Sequence, residues 1–214
     1  QHVVTIEGLK IDGLTLVQQK FMEELATQCG FCTPGFIISV TGYLLNNKSV
    51  DIDSAINAIA GNICRCTGYG AIKRALSDLL DKIIFNPDKT IIQNLISQKV
   101  IPEYFKETKL MILSMAEKFQ RVSPQFDSSK TIIAGGTDLY VQQGEKLTSL
   151  DVHFAVKEIT KQIYIADGRL CLTGNVSFEE IKQSNLIKAR FPALLSNIEL
   201  IASLPIRNSA TIAG

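Results

Sequence analysis

The chain has 214 residues, a length typical of two modest domains. Hydrophobic residues make up 46% and charged residues 20% of it, which argues against a disordered protein. The 22 lysines and arginines nearly cancel the 21 aspartates and glutamates, so clustered positive charge for nucleic acid or anionic membranes is not expected. No apolar run approaches the roughly 20 residues that span a bilayer. We expect a cytoplasmic protein whose partners are neither nucleic acid nor membrane, with residues 1–10 forming a strand and a turn rather than a signal peptide.

Taken in chain order, the first four predicted elements are helices around two cysteine pairs. These helices are predicted from apolar residues at helical spacing, a Thr33-Pro34 start signal, an aspartate cap and an Asn46-Asn47 stop. The predicted helices span about 14–27, Thr33 to Leu44, Asp51 or Asp53 to Ile59, and about 71–84. Both cysteine pairs then lie in turns at one end of a helical bundle.

Four of the five cysteines form these pairs, Cys29 with Cys32 and Cys64 with Cys66. Nothing indicates a secreted protein with disulfides, and two cysteines separated by one residue would close a strained ring. Four converging thiolates would instead hold a metal centre. The spacing alone leaves zinc and an iron–sulfur cluster equally open, because both accept four sulfurs. Four buried free cysteines are the remaining interpretation.

From about residue 103 the pattern predicts mixed helix and strand. A helix contains Met111 to Phe119, and a strand at Thr131–Ala134 runs into Gly135-Gly136. Asp167-Gly168 between two alternating runs predicts a hairpin, since this pair favours a tight turn. Ser177 followed three residues later by Glu180 predicts a capping box. A last helix is predicted over about 192–202.

Gly135-Gly136-Thr137-Asp138 follows a predicted strand, a place where backbone N–H groups could approach a phosphate. Glycine pairs in such positions are more often plain turns, and Asp138 would then be a helix N-cap. The segment lacks the three spaced glycines of the dinucleotide fingerprint, and no P-loop lysine follows.

Two strings around the cysteine pairs resemble a known family. Residues 28–35, QCGFCTPG, and 61–69, GNICRCTGY, are similar to the helical [2Fe-2S] domain of the molybdenum hydroxylases, which include xanthine dehydrogenase, aldehyde oxidase and carbon monoxide dehydrogenase. The resemblance favours a two-iron cluster over zinc. It implies that Cys29, Cys32, Cys64 and Cys66 are the iron ligands. It also implies that Gln28 and Cys66 face the molybdopterin of a partner domain or subunit.

Two segments of the second half resemble the flavin domain that follows in these enzymes. Residues 132–139, IIAGGTDL, are similar to its pyrophosphate loop, and residues 201–214 to its second FAD segment. Within the latter, LPIRN at 204–208 is closest to small subunits of bacterial xanthine dehydrogenases. The resemblance implies FAD contacts from Ile132, Ile133, Ala134, Gly135, Gly136, Thr137, Asp138, Leu139, Ile201, Thr211 and Gly214.

The expected architecture is an α+β multidomain protein. The expected domains are the end of a plant-type ferredoxin domain (1–9), an all-α four-helix [2Fe-2S] domain (10–85), a linker (86–102), and the α+β N-terminal part of a PCMH-type FAD-binding domain (103–214). Because Val3–Leu9 resembles only a last ferredoxin strand and the FAD site is incomplete, we expect a fragment of a longer protein that does not turn over substrate alone.

The function implied by the resemblance is electron transfer within an oxidoreductase of purine catabolism. Electrons would pass from a molybdenum centre through [2Fe-2S] to FAD and then to NAD, in a hetero-oligomer with a molybdenum-binding large subunit. The alternative is a zinc-stabilised tetrathiolate interaction module without redox activity. No catalytic residue is assigned; His2 and His153 are not expected to be ligands, and Cys171 is expected to be a free thiol.

Overall fold

The structure is a computed structural model that describes residues 3–117, 129–133, 135–154 and 160–213. The chain divides into two compact units, Gln1–Arg121 and Val122–Gly214. The described part of the first unit is helical and that of the second combines helices with strands. The predicted succession of a helical domain and a mixed one is therefore confirmed.

The helices of the first unit are short and joined by tight turns. After a 3-10 helix at Glu7–Leu9 come α1 (Leu16–Glu23), α2 (Thr33–Asn46), α3 (Ile52–Ala58), α4 (Gly70–Lys82), α5 (Ile91–Ser97) and α6 (Phe105–Glu117). Helices were predicted at the places of α1 to α4 and of α6, whereas α5 lies within the predicted linker. The first ends earlier than the predicted residue 27, because Leu25 takes a left-handed conformation with φ of 54° and the Ala26 N–H bonds back to the Phe21 carbonyl.

The helix starts follow local side-chain chemistry. Thr15 and Gln18 form a capping box at α1, and Asp51 caps α3 by accepting a hydrogen bond from the Ser54 N–H. The predicted cap at α2 is one residue off. Cys32 is its N-cap residue and Thr33 its first helical residue, so the first turn of α2 begins directly at a cysteine.

Large side chains from α1, α2 and α4 fill the core of the first unit. The fully buried ones include Phe21, Phe36, Leu44, Ile72, Leu76 and Leu79. Leu95, Val100 and Ile101, from the predicted linker, belong to the same core. The Leu16 N–H also donates to the Lys99 carbonyl over 2.9 Å. Residues 91–101 thus pack onto the helices that carry the cysteine turns.

The predicted strand at Val3–Leu9 is wrong. Successive N–H groups from Gly8 to Lys10 bond three residues back, which gives the 3-10 helix, and Leu9 is buried in the core. A strand needs a neighbour with which to form its ladder, and none pairs with this segment among the described residues.

The second unit contains two small sheets, five short α-helices and a 3-10 helix (Gly144–Lys146) in its described ranges. Strand β1 (Thr131–Ile133) pairs in parallel with β2 (Val152–Phe154), and β3 (Ile163–Ala166) forms the predicted hairpin with β4 (Arg169–Leu172). The helices are α7 (Thr137–Gln143), α8 (Phe178–Gln183), α9 (Asn185–Arg190), α10 (Pro192–Glu199) and α11 (Leu204–Ser209). The predicted Ser177–Glu180 capping box starts α8.

Val176, Ile181, Ile187 and Ile198 form the core of this unit. The segment after α11 returns to it through a bridge between Ser177 and Thr211. Within the described ranges of both units, every helix is too short or too polar to traverse a lipid bilayer.

Candidate metal centre and flavin loops

The two cysteine turns meet on one side of the helical unit. Cys29 and Cys32 lie between α1 and α2, and Cys64 and Cys66 lie between α3 and α4. Packing of α1 on α4 and of α2 on α3 brings the turns together. The Cys29 and Cys66 sulfurs are 3.5 Å apart, and the Cys32 and Cys64 thiols are also in contact. The four sulfurs therefore pair across the two turns.

The backbone of both turns depends on left-handed residues. Gly30 has a φ of 82° and Gly68 a φ of 60°, conformations that side chains disfavour. Tyr69 takes the same conformation, with a φ of 65°, immediately before α4. Its hydroxyl oxygen accepts a hydrogen bond from the Cys64 N–H over 3.0 Å. This bond holds the turn that carries the second cysteine pair.

Asn62 attaches the second turn to α2. Its Nδ2 atom donates to the Ser39 hydroxyl over 2.8 Å and to the Ile59 carbonyl over 3.2 Å. A Cβ atom at Gly35 would lie 2.6 Å from its Oδ1 atom. Glycine at position 35 therefore lets Asn62 approach the start of α2, close to Cys32.

One thiol of each contacting pair is made more acidic by its surroundings. The Thr67 hydroxyl and N–H group contact the Cys64 sulfur at 3.1 and 3.4 Å, and they lower the pKa of Cys64 to about 7. The Phe31 N–H group, followed by the Cys66 thiol, lowers the pKa of Cys29. Burial raises the pKa of Cys32, and contact with Cys29 raises that of Cys66. N–H groups directed at sulfur favour the thiolate, the form that binds metal.

This donor set fits a two-iron cluster. Cys64 is buried, Cys32 is half-buried, and Cys29 and Cys66 are exposed, so one sulfur pair lies inside and the other at the surface. In a [2Fe-2S] cluster four thiolates are shared between two irons, which matches the pairwise arrangement.

Apolar side chains project into solvent beside the sulfurs. Phe31 is 94% exposed and Ile63 84% exposed. Phe31 directly precedes Cys32, and Ile63 directly precedes Cys64. Leu25, at the end of α1, is exposed as well. Gln28 and Arg65 also lie at the surface, next to Cys29 and Cys66 in the chain.

The two predicted flavin segments come together in the second unit. A Cβ atom at Gly135 would overlap the Ser209 carbonyl oxygen and would lie 3.3 Å from the Ala210 Cα atom. Only a glycine lets these backbones approach so closely. Residues 135–136 and the end of α11 therefore adjoin. Ala134 and Gly214, which were also predicted to contact FAD, lie outside the described residues.

Helix α7 starts directly after the glycine pair. Gly136, with a φ of 75°, is its N-cap residue, so the interpretation of Asp138 as N-cap is wrong. Asp138 lies in the first turn and accepts a hydrogen bond from the Gln142 side chain over 2.9 Å. The left-handed Gly136, rather than the Asp138 side chain, therefore marks the start of α7.

A buried ion pair holds the second predicted flavin segment. Arg207 donates from Nε to the Glu179 carboxylate and from Nη1 to the Ile201 carbonyl, both over 3.0 Å. The two side chains are only 8% and 9% exposed. Thr211 follows in the bridge to Ser177. The pair thus joins α11 to α8.

Sequence reasoning missed Thr67, Asn62 and the Glu179–Arg207 pair. Thr67 could have been found, because its N–H and hydroxyl sit three residues beyond Cys64 in a glycine turn. Glu179 and Arg207 are 28 residues apart, and no local pattern joins them. The hydrogen bond that the Tyr69 hydroxyl accepts from the Cys64 N–H was not predicted either. The side chains of His2 and His153 lie outside the described residues, and Cys171 is half-buried in β4.

Comparison with protein families gives two matches in chain order. Residues 5–77 match the model of a [2Fe-2S] binding domain. Residues 109–214 match the model of the FAD binding domain in molybdopterin dehydrogenase. The first match contains all four paired cysteines and the second contains both flavin segments.

Curated proteins similar to this chain include enzymes and enzyme subunits. The nicotine 6-hydroxylase small subunit of Paenarthrobacter nicotinovorans is 45% identical over 78 residues, which are 36% of this chain and 47% of that protein. The nicotinate dehydrogenase small FeS subunit of Eubacterium barkeri is 43% identical over 75 residues, 35% of this chain and 48% of that protein. Xanthine dehydrogenase 1 of Arabidopsis thaliana is 46% identical over 74 residues, 33% of this chain and 5% of that protein. The match spans less than half the length of each relative.

Proposed function

Because the chain belongs to the molybdenum hydroxylase family, we propose that it is an electron-transfer component of such an oxidoreductase. In this role it receives electrons that originate at a molybdenum centre in a partner subunit and delivers them to FAD and then to NAD. When bound, a [2Fe-2S] cluster supplies a one-electron carrier and FAD supplies a two-electron one. The pairing of the four cysteine sulfurs across two turns is the observation that supports this proposal most strongly.

We propose Cys29, Cys32, Cys64 and Cys66 as the ligands of the cluster. Thr67 and Phe31 hold N–H groups against the Cys64 and Cys29 sulfurs, which stabilises them as thiolates. The Tyr69 hydroxyl and the Asn62 side chain keep the second turn in position against α2. The four-helix [2Fe-2S] domain proposed for residues 10–85 consists of α1 to α4 with these turns.

The exposed sulfur pair is the proposed side of approach for the molybdenum-binding partner. Cys29 and Cys66 lie at the surface together with Gln28, and we propose that Gln28 and Cys66 face the molybdopterin. The exposed side chains of Phe31 and Ile63 support this, because apolar groups at the centre of a surface patch favour burial against a protein partner. The proposed assembly is a cytoplasmic hetero-oligomer that serves purine catabolism.

We propose the second unit as the N-terminal part of a PCMH-type flavin domain. The close approach of Gly135 to Ser209 supports it, since the two segments predicted to contact FAD then form one surface. The glycine pair leaves backbone N–H groups without side chains above them, as a pyrophosphate requires. The proposed contacts are Ile132, Ile133, Ala134, Gly135, Gly136, Thr137, Asp138, Leu139, Ile201, Thr211 and Gly214.

A redox titration of the anaerobically purified chain tests the electron-transfer role. The visible absorption should bleach on addition of one electron per chain from dithionite and should return on reoxidation with ferricyanide. A colourless chain that takes up no electron and unfolds on chelation would instead indicate the zinc-stabilised module. Titration of FAD fluorescence against the chain tests the flavin surface separately. Quenching that Gly135→Val abolishes is expected, and no quenching would contradict that part of the proposal.

A further inference from the structure

A groove of about 1180 Å³ lies on the first unit, and its lining residues lie outside the cysteine turns. The end of α2, the turn at residues 85–90, helix α5 and the start of α6 enclose it. A cavity of this size exceeds that of most small-molecule sites, and it is partly open to solvent. Its dimensions suit a segment of polypeptide.

The floor of the groove is apolar. Leu45, Phe85, Ile91 and Ile92 are half-buried there, and Leu110 is 69% exposed at its edge. A smaller depression of about 260 Å³ continues this surface between α5 and α6, and apolar side chains form most of it.

The rim of the groove is positively charged. Four lysines line it, Lys48, Lys89, Lys106 and Lys109, against the single carboxylate of Asp88. Lys106 is paired with Glu103 over 3.1 Å. The other three lysines form no ion pair with any carboxylate of the described ranges. Three positive charges therefore surround an apolar floor, although the whole chain is nearly neutral.

We propose that this groove binds an acidic amphipathic helix of a partner protein. Such a helix places its apolar face on the floor and its carboxylates opposite the three lysines, which is the helix-in-groove mode of recognition. The concave shape favours a helix over a lipid surface, because a membrane-binding face is convex or flat and lets its apolar groups enter the bilayer together. The site is separate from the cysteine turns and does not depend on their metal content.

The test uses the full chain and a fluorescein-labelled synthetic peptide of about 18 residues, with leucines on one helical face and glutamates on the other. Fluorescence anisotropy should show saturable binding that weakens at high salt, because the charge contacts are screened. A matched peptide with lysines in place of the glutamates should bind about tenfold more weakly or not at all. A third peptide with serines in place of the leucines should also lose binding.

Charge-reversed variants locate the site. The triple variant Lys48→Glu, Lys89→Glu, Lys109→Glu should bind the acidic peptide about tenfold more weakly. The control variant Lys10→Glu, Lys73→Glu, Lys146→Glu changes the net charge equally at exposed lysines outside the groove and should bind like wild type. If the reversed chain fails to fold by circular dichroism, the corresponding glutamine substitutions replace it and should also weaken binding.

Three results would overturn the proposal. One is the absence of binding to wild type, and another is equal loss of affinity in the groove and control variants. The third is capture of the chain by phosphatidylglycerol vesicles without binding of the peptide, which would make the same lysines and apolar side chains a membrane surface.

Discussion

At the scale of single residues, the environment of each sulfur differs although all four belong to one constellation. Cys64 is buried and contacts both the hydroxyl and the N–H group of Thr67, whereas Cys66 is exposed and contacts Cys29. The Cys64 sulfur is therefore surrounded by protein, whereas the Cys66 sulfur lies at the surface. Substitutions of single residues should distinguish residues that bind the metal from residues that only change its reduction potential.

Cys64→Ser should abolish the visible absorption of the chain. A serine hydroxyl is a poor ligand for a site that requires thiolates, and the loss of one of four ligands opens the cluster. Cys171→Ser is the matched control, because Cys171 lies in β4 of the other unit. Absorbance spectra and iron content per chain measure both variants. Full iron content in Cys64→Ser would contradict the ligand assignment.

Thr67→Val should make the reduction potential of the centre more negative while keeping it intact. Valine removes the hydroxyl contact with the Cys64 sulfur, and hydrogen bonds to ligand sulfur favour the reduced, more negative state. If that contact favours the reduced state by about 1 kcal/mol, the shift is about 40 mV. A dye-equilibrated potentiometric titration measures it. Thr160→Val, in the second unit, is the control, and an unchanged or raised potential in Thr67→Val would oppose this role.

At the scale of elements, two charged groups connect helices that are distant in the sequence. Lys20 of α1 lies 2.6 Å from Glu23 and 2.7 Å from Asp78 of α4. Glu179 and Arg207 connect α8 to α11 in the second unit. The Lys20 group is partly exposed, and we expect its contribution to stability to depend on pH. The Glu179–Arg207 pair is buried, and we expect its effect mainly in variants that remove one partner.

The Lys20 group should make stability depend on pH in acid. The hydrogen bond from Lys20 lowers the pKa of Asp78 and of Glu23 in the folded chain. Their stabilisation is therefore complete above the unfolded pKa values of about 4 and is lost as the pH falls through the lower folded values. The contact raises the pKa of Lys20, chiefly through Asp78, so its own contribution disappears only in strong alkali.

Asp78→Asn and Lys20→Gln should both reduce this acid dependence, because each removes a partner of the same bond. Urea unfolding midpoints between about pH 2 and pH 7 measure the effect. A wild-type pH profile in both variants would show that the group contributes nothing to stability.

Arg207→Met should lower the free energy of unfolding by about 3–5 kcal/mol, because it leaves the Glu179 carboxylate buried without its partner. Arg190→Met, at an exposed arginine of α9, should change it by less than about 0.5 kcal/mol. Denaturant unfolding followed by circular dichroism measures both. Similar stabilities for the two variants would refute a structural role for the buried pair.

The elements themselves were largely predictable from the sequence, and the contacts between them were not. Capping signals at Asp51 and Ser177 and the Asp167-Gly168 turn act within a few residues, so the pattern contains them. The strand predicted at Val3–Leu9 failed because a strand is defined by its neighbour, which local sequence does not supply. The cysteine pairs were evident from spacing, but which sulfur meets which depends on how α1 packs on α4.

At the scale of the whole molecule, the chain combines two units with separate cores. The first core contains Phe36 and Leu76, and the second contains Ile181 and Ile187. The cysteine turns belong to the first unit and the two segments predicted to contact FAD to the second. Damage confined to one core should therefore leave the chemistry of the other unit intact.

Gly135→Ala should destabilise the second unit and leave the iron content of the first unchanged. The added Cβ overlaps the Ser209 carbonyl oxygen, and relief of such overpacking costs about 1–3 kcal/mol. Gly144→Ala is the matched control, because nothing lies near its Cβ position. Thermal unfolding and iron analysis of the two variants measure the effect. A parallel loss of iron in Gly135→Ala would show that the units do not act independently.

We propose above all that the four paired cysteines hold a two-iron cluster. Elemental analysis of the anaerobically purified chain, with acid-labile sulfide measured on the same sample, tests it most directly. We expect two irons and two sulfides per chain and no stoichiometric zinc, in keeping with the [2Fe-2S] binding domain that residues 5–77 match. One zinc per chain with neither iron nor sulfide would contradict it.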